Sequence, residues 1–142
     1  MIHFLVATHG PLATALLESS RMVYGTLPKV TAVTLTEQAG IEEFREDFSR
    51  ALHAASIGAD GVLVLCDMQS GTPWNVACQF AFSPQMMPPV AVVAGVNFPM
   101  LLQTDEVSHY GDVQTAARQL IALTHPSLIL AELTVSDPSD DF

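Results

Sequence analysis

The run Val62-Leu-Val-Leu-Cys66 constrains the fold of this chain more than any other stretch. Its five consecutive apolar side chains leave no polar face, and Gly58 and Gly61 bracket the turn before it. Side chains of a strand point alternately to the two faces of a sheet, so a strand apolar throughout must be covered on both faces. The run therefore predicts a central strand of a parallel sheet with helices on either side. Three more apolar or β-branched runs have strand length: Ile2 to Ala7, Val30 to Leu35 and Val90 to Ala94.

Between these runs the period changes to that of helices. Leu12, Ala15, Leu16, Ser19 and Val23 share one helical face, so Pro11 to Tyr24 reads as a helix. Pro11 suits its first turn and Gly25 its end. Ile41, Phe44, Phe48, Ala51, Leu52 and Ala55 predict a second helix over Ile41 to Ser56. Thr72 followed by Pro73 reads as the N-cap and first position of a short third helix, with Ala77, Phe80 and Ala81 on its buried side. Pro99 to Gln103 reads as a helical turn. Val113, Ala116, Ala117, Leu120, Ile121 and Thr124 form a last stripe, stopped by Pro126. Leu128 to Val135 reads as a final strand, and residues 136–142 as an acidic, disordered tail. Strands alternate with helices four times. That predicts a doubly wound α/β domain over residues 1–135, with three α/β/α layers around a four-stranded parallel sheet of order 2-1-3-4.

Composition narrows the function. The 142 residues suit one domain, and 49% hydrophobic against 14% charged residues allows a sizeable core. No apolar run approaches the roughly 20 residues that span a bilayer, and no secretory signal is visible, so a cytoplasmic protein is expected. The net charge of −10, from 15 acidic and 5 basic residues, argues against nucleic acid and for a basic protein partner. Cys66 and Cys78 read as buried, reduced thiols, and no Cys/His cluster has zinc spacing, so neither metal nor cofactor is expected.

Three strand ends meet at one edge of such a sheet: His9, Asp67 and Asn97. First–third strand pairing puts His9 beside Asp67 at the switch point, where α/β sheets gather function. A carboxylate beside an imidazole fixes its tautomer and leaves the other ring nitrogen free as a nucleophile. The stretch Ser70-Gly-Thr-Pro-Trp-Asn75 brings a helix N-terminus, which suits an anion such as phosphate. Gly71 allows close backbone approach and Thr72 adds a hydroxyl. A Walker loop and a nucleophile elbow are both missing.

Thr8-His9-Gly10, then Asp67 with Gly71-Thr72-Pro73-Trp74-Asn75, then Gly95-Val-Asn-Phe-Pro-Met-Leu101 together resemble the IIA component of mannose-type sugar phosphotransferase systems. The resemblance covers about Ile2 to Val135. It implies a phosphohistidine carrier that takes a phosphoryl group from the phosphocarrier protein HPr and passes it to a IIB component for sugar uptake. It places the phosphorylated histidine at His9, the orienting aspartate at Asp67 and the hydroxyl near the phosphoryl group at Thr72, with Gly10, Ser70 and Gly71 around that group. It also implies a homodimer that exchanges the C-terminal antiparallel strand, and contact with a membrane only through a sugar permease. After the aspartate the family usually holds an aromatic and a glycine, where this chain has Met68, Gln69 and Ser70. Two other roles share the fold: the phosphotransferase subunit of a phosphoenolpyruvate-dependent dihydroxyacetone kinase, and a regulatory sensing domain.

Overall fold

Four short strands and six helices make up the computed structural model, which describes residues 1–133. In chain order they are β1 (Ile2–His9), α1 (Leu12–Val23), β2 (Val30–Leu35), α2 (Gly40–Ser56), β3 (Gly61–Cys66), α3 (Thr72–Ala81), β4 (Val90–Ala94), α4 (Phe98–Leu102), α5 (Thr104–Val107) and α6 (Val113–Thr124). A 3-10 turn over His125–Ser127 is the last regular element among the described residues. The four strands form one sheet in the order β2-β1-β3-β4, as expected, and every pairing is parallel.

Burial follows from the strand pattern. All six residues of β3 are buried, as its unbroken apolar run requires. Phe4, Val6, Leu63, Leu65, Ala91 and Val93 face one layer, which α1, α4, α5 and α6 cover. Leu5, Ala7, Val62, Val64 and Cys66 face the other, where α2 and α3 pack. Phe44, Phe48 and Phe80 stack there in tilted pairs 6.1 and 5.4 Å apart. Each of the fully buried side chains adds about 1.5–3 kcal/mol through loss of hydrated surface.

Strands, and hence the sheet, point one way. Their C-terminal ends form an upper edge where α1, α2 and α3 begin, and α6 starts at the opposite edge. A Cβ on Gly61, the first residue of β3, would fall 2.8 Å from that of Val113. From there α6 rises in the same direction as the strands, beside the free edge of β4.

Several boundaries differ from expectation. β1 continues through His9: Phe4 to Ala7 are paired on both sides, and the last residues, Thr8 and His9, still pair with Thr34 and Leu35 of β2. Pro11 precedes α1 as its N-cap. The expected turn at Pro99 to Gln103 is two short helices, broken at Gln103, where the side chain bonds back to the Pro99 carbonyl. In the single chain Leu128 to Leu133 pairs with no strand: Leu128 is 73% exposed, and Ile129 and Leu130 are each 81% exposed. Thr134, Val135 and the acidic tail lie outside the described residues.

Candidate functional site

β1 and β3 are neighbours, so their C-terminal tips bring His9 and Asp67 together. One carboxylate oxygen of Asp67, Oδ2, receives two hydrogen bonds from His9. The backbone N–H donates at 3.1 Å and ring Nδ1 at 2.9 Å. A carboxylate oxygen only accepts, so Nδ1 carries a proton, and the neutral form of the ring keeps its lone pair on Nε2. The second oxygen, Oδ1, is buried and bonds no other group among the described residues, so Asp67 directs its hydrogen bonding wholly at His9. Asp67 is 15% exposed and His9 41%, which leaves the imidazole open to an incoming molecule.

The turn after β1 is held from both sides. Thr8 is fully buried, and its hydroxyl oxygen accepts from the Ala13 N–H at 2.8 Å, tying the first turn of α1 back to the strand. Gly10 lies in the left-handed region with φ of 56°, and its N–H donates to the Leu35 carbonyl at 2.7 Å. Neither Thr8 nor this second link was expected from the sequence. The signal for Thr8 was a hydroxyl three residues before Pro11, which fits ordinary turn chemistry just as well.

Gly71 closes the other side. Its φ is 83°, and a Cβ built on it would fall 2.9 Å from His9 Nε2 and 3.0 Å from Cε1. Nε2 therefore faces the backbone where α3 begins. Gly71, not Thr72, is the N-cap of α3, and Thr72 and Pro73 are its first two residues. The cap expected at Thr72 is thus corrected: no side chain caps this helix, and the Thr72 hydroxyl is not used for that purpose. Pro73 has no N–H, so the free first-turn donors of α3 are the N–H groups of Thr72 and Trp74. Ser70 is exposed on the same loop.

Asn97, expected as a third member of the cluster, serves elsewhere. Its Oδ1 accepts from the Met100 N–H at 2.9 Å and caps α4. Cys66, beside Asp67, is fully buried, and burial above all, with the nearby Asp67 charge, pushes its thiol up to about 12. It is no thiolate near neutral pH, which removes cysteine chemistry from this edge.

On the β2 side of His9 lies a cleft of about 500 Å³, lined by His9, Gly10, Leu35, Thr36, Glu37, Gly40 and Ile41. No Lys or Arg is among these lining residues. Among the described residues no His, Cys, Asp and Glu cluster could hold a metal ion, and no helix is long and apolar enough to cross a membrane.

The family profile of the phosphotransferase-system (PTS) fructose IIA component matches residues 3–121. The chain belongs to this family. As a PTS IIA protein it is 32% identical over 127 residues to the fructose-specific EIIA component of Bacillus subtilis, a match covering 89% of this chain and 84% of that one. It is 28% identical to the sorbose-specific EIIA component of Klebsiella pneumoniae, over 77% of this chain and 76% of that one. Among solved structures, the mannose/sorbose-specific IIA subunit from Enterococcus faecalis superposes with a TM-score of 0.79 at 27% identity, covering 95% of this chain and 98% of that one. The resemblance carried by the Thr8, Asp67 and Gly95 stretches thus holds along most of the IIA domain.

Proposed function

We propose that this PTS IIA protein carries a phosphoryl group on His9 Nε2. The observation that supports it best is the pairing of Nδ1 with Asp67 at 2.9 Å while Nε2 faces Gly71. The lone pair of Nε2 attacks the phosphorus of the donor in line. A new N–P bond forms as the donor's own N–P bond breaks, and the donor imidazole keeps that electron pair. Charge spreads over three equatorial oxygens in the transition state. The N–H groups and hydroxyl at the start of α3, from Thr72 and Trp74, face that charge, with Ser70 and Gly10 beside it, and the positive end of the helix adds to them. Asp67 holds the ring in one tautomer and supports the positive charge that develops on it.

The donor is HPr and the acceptor a IIB component on another chain, so the protein serves sugar uptake from the cytoplasm and meets the membrane only through the permease. The net charge of −10 suits a basic donor. The active form is a homodimer, since the exposed, largely apolar Leu128–Leu133 segment and the free edge of β4 each lack a partner among the described residues. Incubation with phosphoenolpyruvate, enzyme I and HPr should add one phosphoryl group by intact mass, acid-labile and mapped to His9. A group on another residue, or no gain in mass, overturns the reading.

A further inference from the structure

The buried polar side chains among the described residues are all hydroxyls: Thr8, Ser20, Thr104, Ser108 and Thr124. A hydroxyl has one hydrogen to donate and an oxygen that accepts. All but Thr8 give the hydrogen to a backbone carbonyl three or four residues earlier. Ser20 donates to Leu17 at 2.7 Å, Thr104 to Leu101 at 2.9 Å, Ser108 to Asp105 at 2.9 Å and Thr124 to Leu120 at 2.7 Å. Thr8 differs. It is fully buried, yet its oxygen only accepts, from the Ala13 N–H at 2.8 Å, and its hydrogen meets no acceptor among the described residues.

The opposite deficit lies beside it. Asp67 Oδ1 is a buried acceptor that meets no donor among the described residues. Register makes the two neighbours. β1 and β3 pair in parallel up to Ala7 and Cys66, and Thr8 and Asp67 are the next residue on each side. Side chains alternate along a strand, so both turn away from the face of Ala7 and Cys66 and toward that of Val6 and Leu65, under α1. The carboxylate is tied to the same spot through its other oxygen. Oδ2 accepts from the N–H of His9, the residue directly after Thr8. No direct bond joins the hydroxyl to Oδ1, so a link between them needs a group that accepts from one and donates to the other. A single water does both, and buried waters sit where polar groups would otherwise stay unpaired.

We propose that Thr8 is a positioning residue for phosphoryl transfer, its hydroxyl hydrogen linked through one bound water to Asp67 Oδ1. The link rests on the reading of His9 as phosphoryl carrier and adds to it the group that steadies the carboxylate. Held through Oδ2 alone, a carboxylate still turns about its bond to Cβ, because that torsion is broad. Held through both oxygens, it keeps Oδ2 on the His9 N–H and Nδ1, and so keeps Nε2 aimed. The oxygen of Thr8 fixes the start of α1 while its hydrogen fixes the carboxylate.

Thr8→Val keeps the shape and removes the hydroxyl; Thr8→Ser keeps the hydroxyl. In rapid-quench kinetics with phospho-HPr, Thr8→Val should lower kcat roughly tenfold with KM unchanged, as loss of an outer-shell partner does, and Thr8→Ser should stay within about twofold of the parent. The Asp67→Ala background separates the water link from the tie to α1. There Thr8→Val should slow transfer no further, because no carboxylate is left to steady. An equal loss in both backgrounds means that Thr8 acts only through Ala13 and overturns the proposal, as does a parental kcat in Thr8→Val. Should Thr8→Val fail to fold, the parent chain decides. Its crystal structure at atomic resolution should show one water within hydrogen-bond distance of both Thr8 Oγ1 and Asp67 Oδ1, and an unbridged pair overturns the link. A parent chain that takes no phosphoryl group on His9 overturns the carrier reading itself. One that does, with Thr8→Val at full rate, leaves that reading standing and removes Thr8 from it.

Discussion

β1 carries a histidine near each end, and the two do different work. His3 donates from Nδ1 to the Ala55 carbonyl at 2.7 Å. Ala55 lies in the last turn of α2, so this imidazole satisfies one of the carbonyls that a helix end leaves over. His9 donates from the same ring atom to a carboxylate, and its Nε2 faces the first turn of α3. One strand thus meets the negative end of a helix below and the positive end of another above. The lower environment calls for a hydrogen-bond donor, and the upper one suits an anion. A parallel sheet with helical crossovers makes its two edges chemically unequal, and identical residues on one strand inherit that difference.

The strongest test separates the two histidines. His9→Ala should lose all phosphorylation by HPr and phosphoenolpyruvate, while His3→Ala should be phosphorylated at the parental rate. Loss in both, or in neither, erases the contrast. Next comes the group that distinguishes their partners. Asp67→Ala should slow transfer by up to about ten-thousandfold, judged from carboxylates that orient a catalytic imidazole, yet leave His9 slowly modifiable. Rapid-quench kinetics with phospho-HPr reads this, and a parental rate would remove Asp67 from the mechanism.

A smaller effect is expected at Gly71. Alanine there meets the penalty of a φ of 83° and presses on Nε2, so transfer should fall about a hundredfold with the circular dichroism unchanged. Equal activity would mean that the phosphoryl group does not approach from this side. At the lower edge the expected cost is stability alone: His3→Ala should lower it by about 1 kcal/mol in urea titration, for one hydrogen bond.

The weakest effect concerns Asp112, the N-cap of α6, at that same lower edge. Its carboxylate accepts from the Thr115 hydroxyl at 2.6 Å and the Thr115 N–H at 3.0 Å, bonds that hold it below its ordinary value of 3.8. A group whose pKa is lowered by folding stabilises the fold above its unfolded value and loses that contribution as pH falls through the folded one. Asp112→Asn should therefore flatten the acid limb of a plot of melting temperature against pH below about 4, without changing phosphoryl transfer at neutral pH.

How much of this was legible in the sequence depends on which force decides each feature. Burial fixed the sheet: an apolar run such as Val62 to Cys66 admits few places in an α/β fold, and the strand order followed from it. His9 and Asp67 were legible for the same reason, as the polar residues that end two adjacent strands. Caps were not, because competing hydrogen bonds decide them and they differ by single residues. Thr72-Pro73 and Gly71-Thr72 offer the same local chemistry, and only the φ of Gly71 gives the cap to the glycine. Asn97 looks like a site residue at the tip of β4 because a capping amide and a catalytic one share a position. Leu128 to Val135 reads as a strand from its apolar residues, but a strand needs a neighbour to pair with, and within one chain Leu128 to Leu133 pairs with none.

The cleft beside His9 has Glu37 in its lining and no Lys or Arg. A phosphoryl group on Nε2 finds N–H groups and hydroxyls but no opposite full charge from these walls, so most of its own charge stays uncompensated. A site lined with arginine would hold the group deeply and release it slowly. On the proposed reading, the phosphoprotein would rest high on the free-energy scale, and the stabilisation withheld would remain as driving force for the next transfer. On that reading, a cleft poor in cations would suit a relay better than a store.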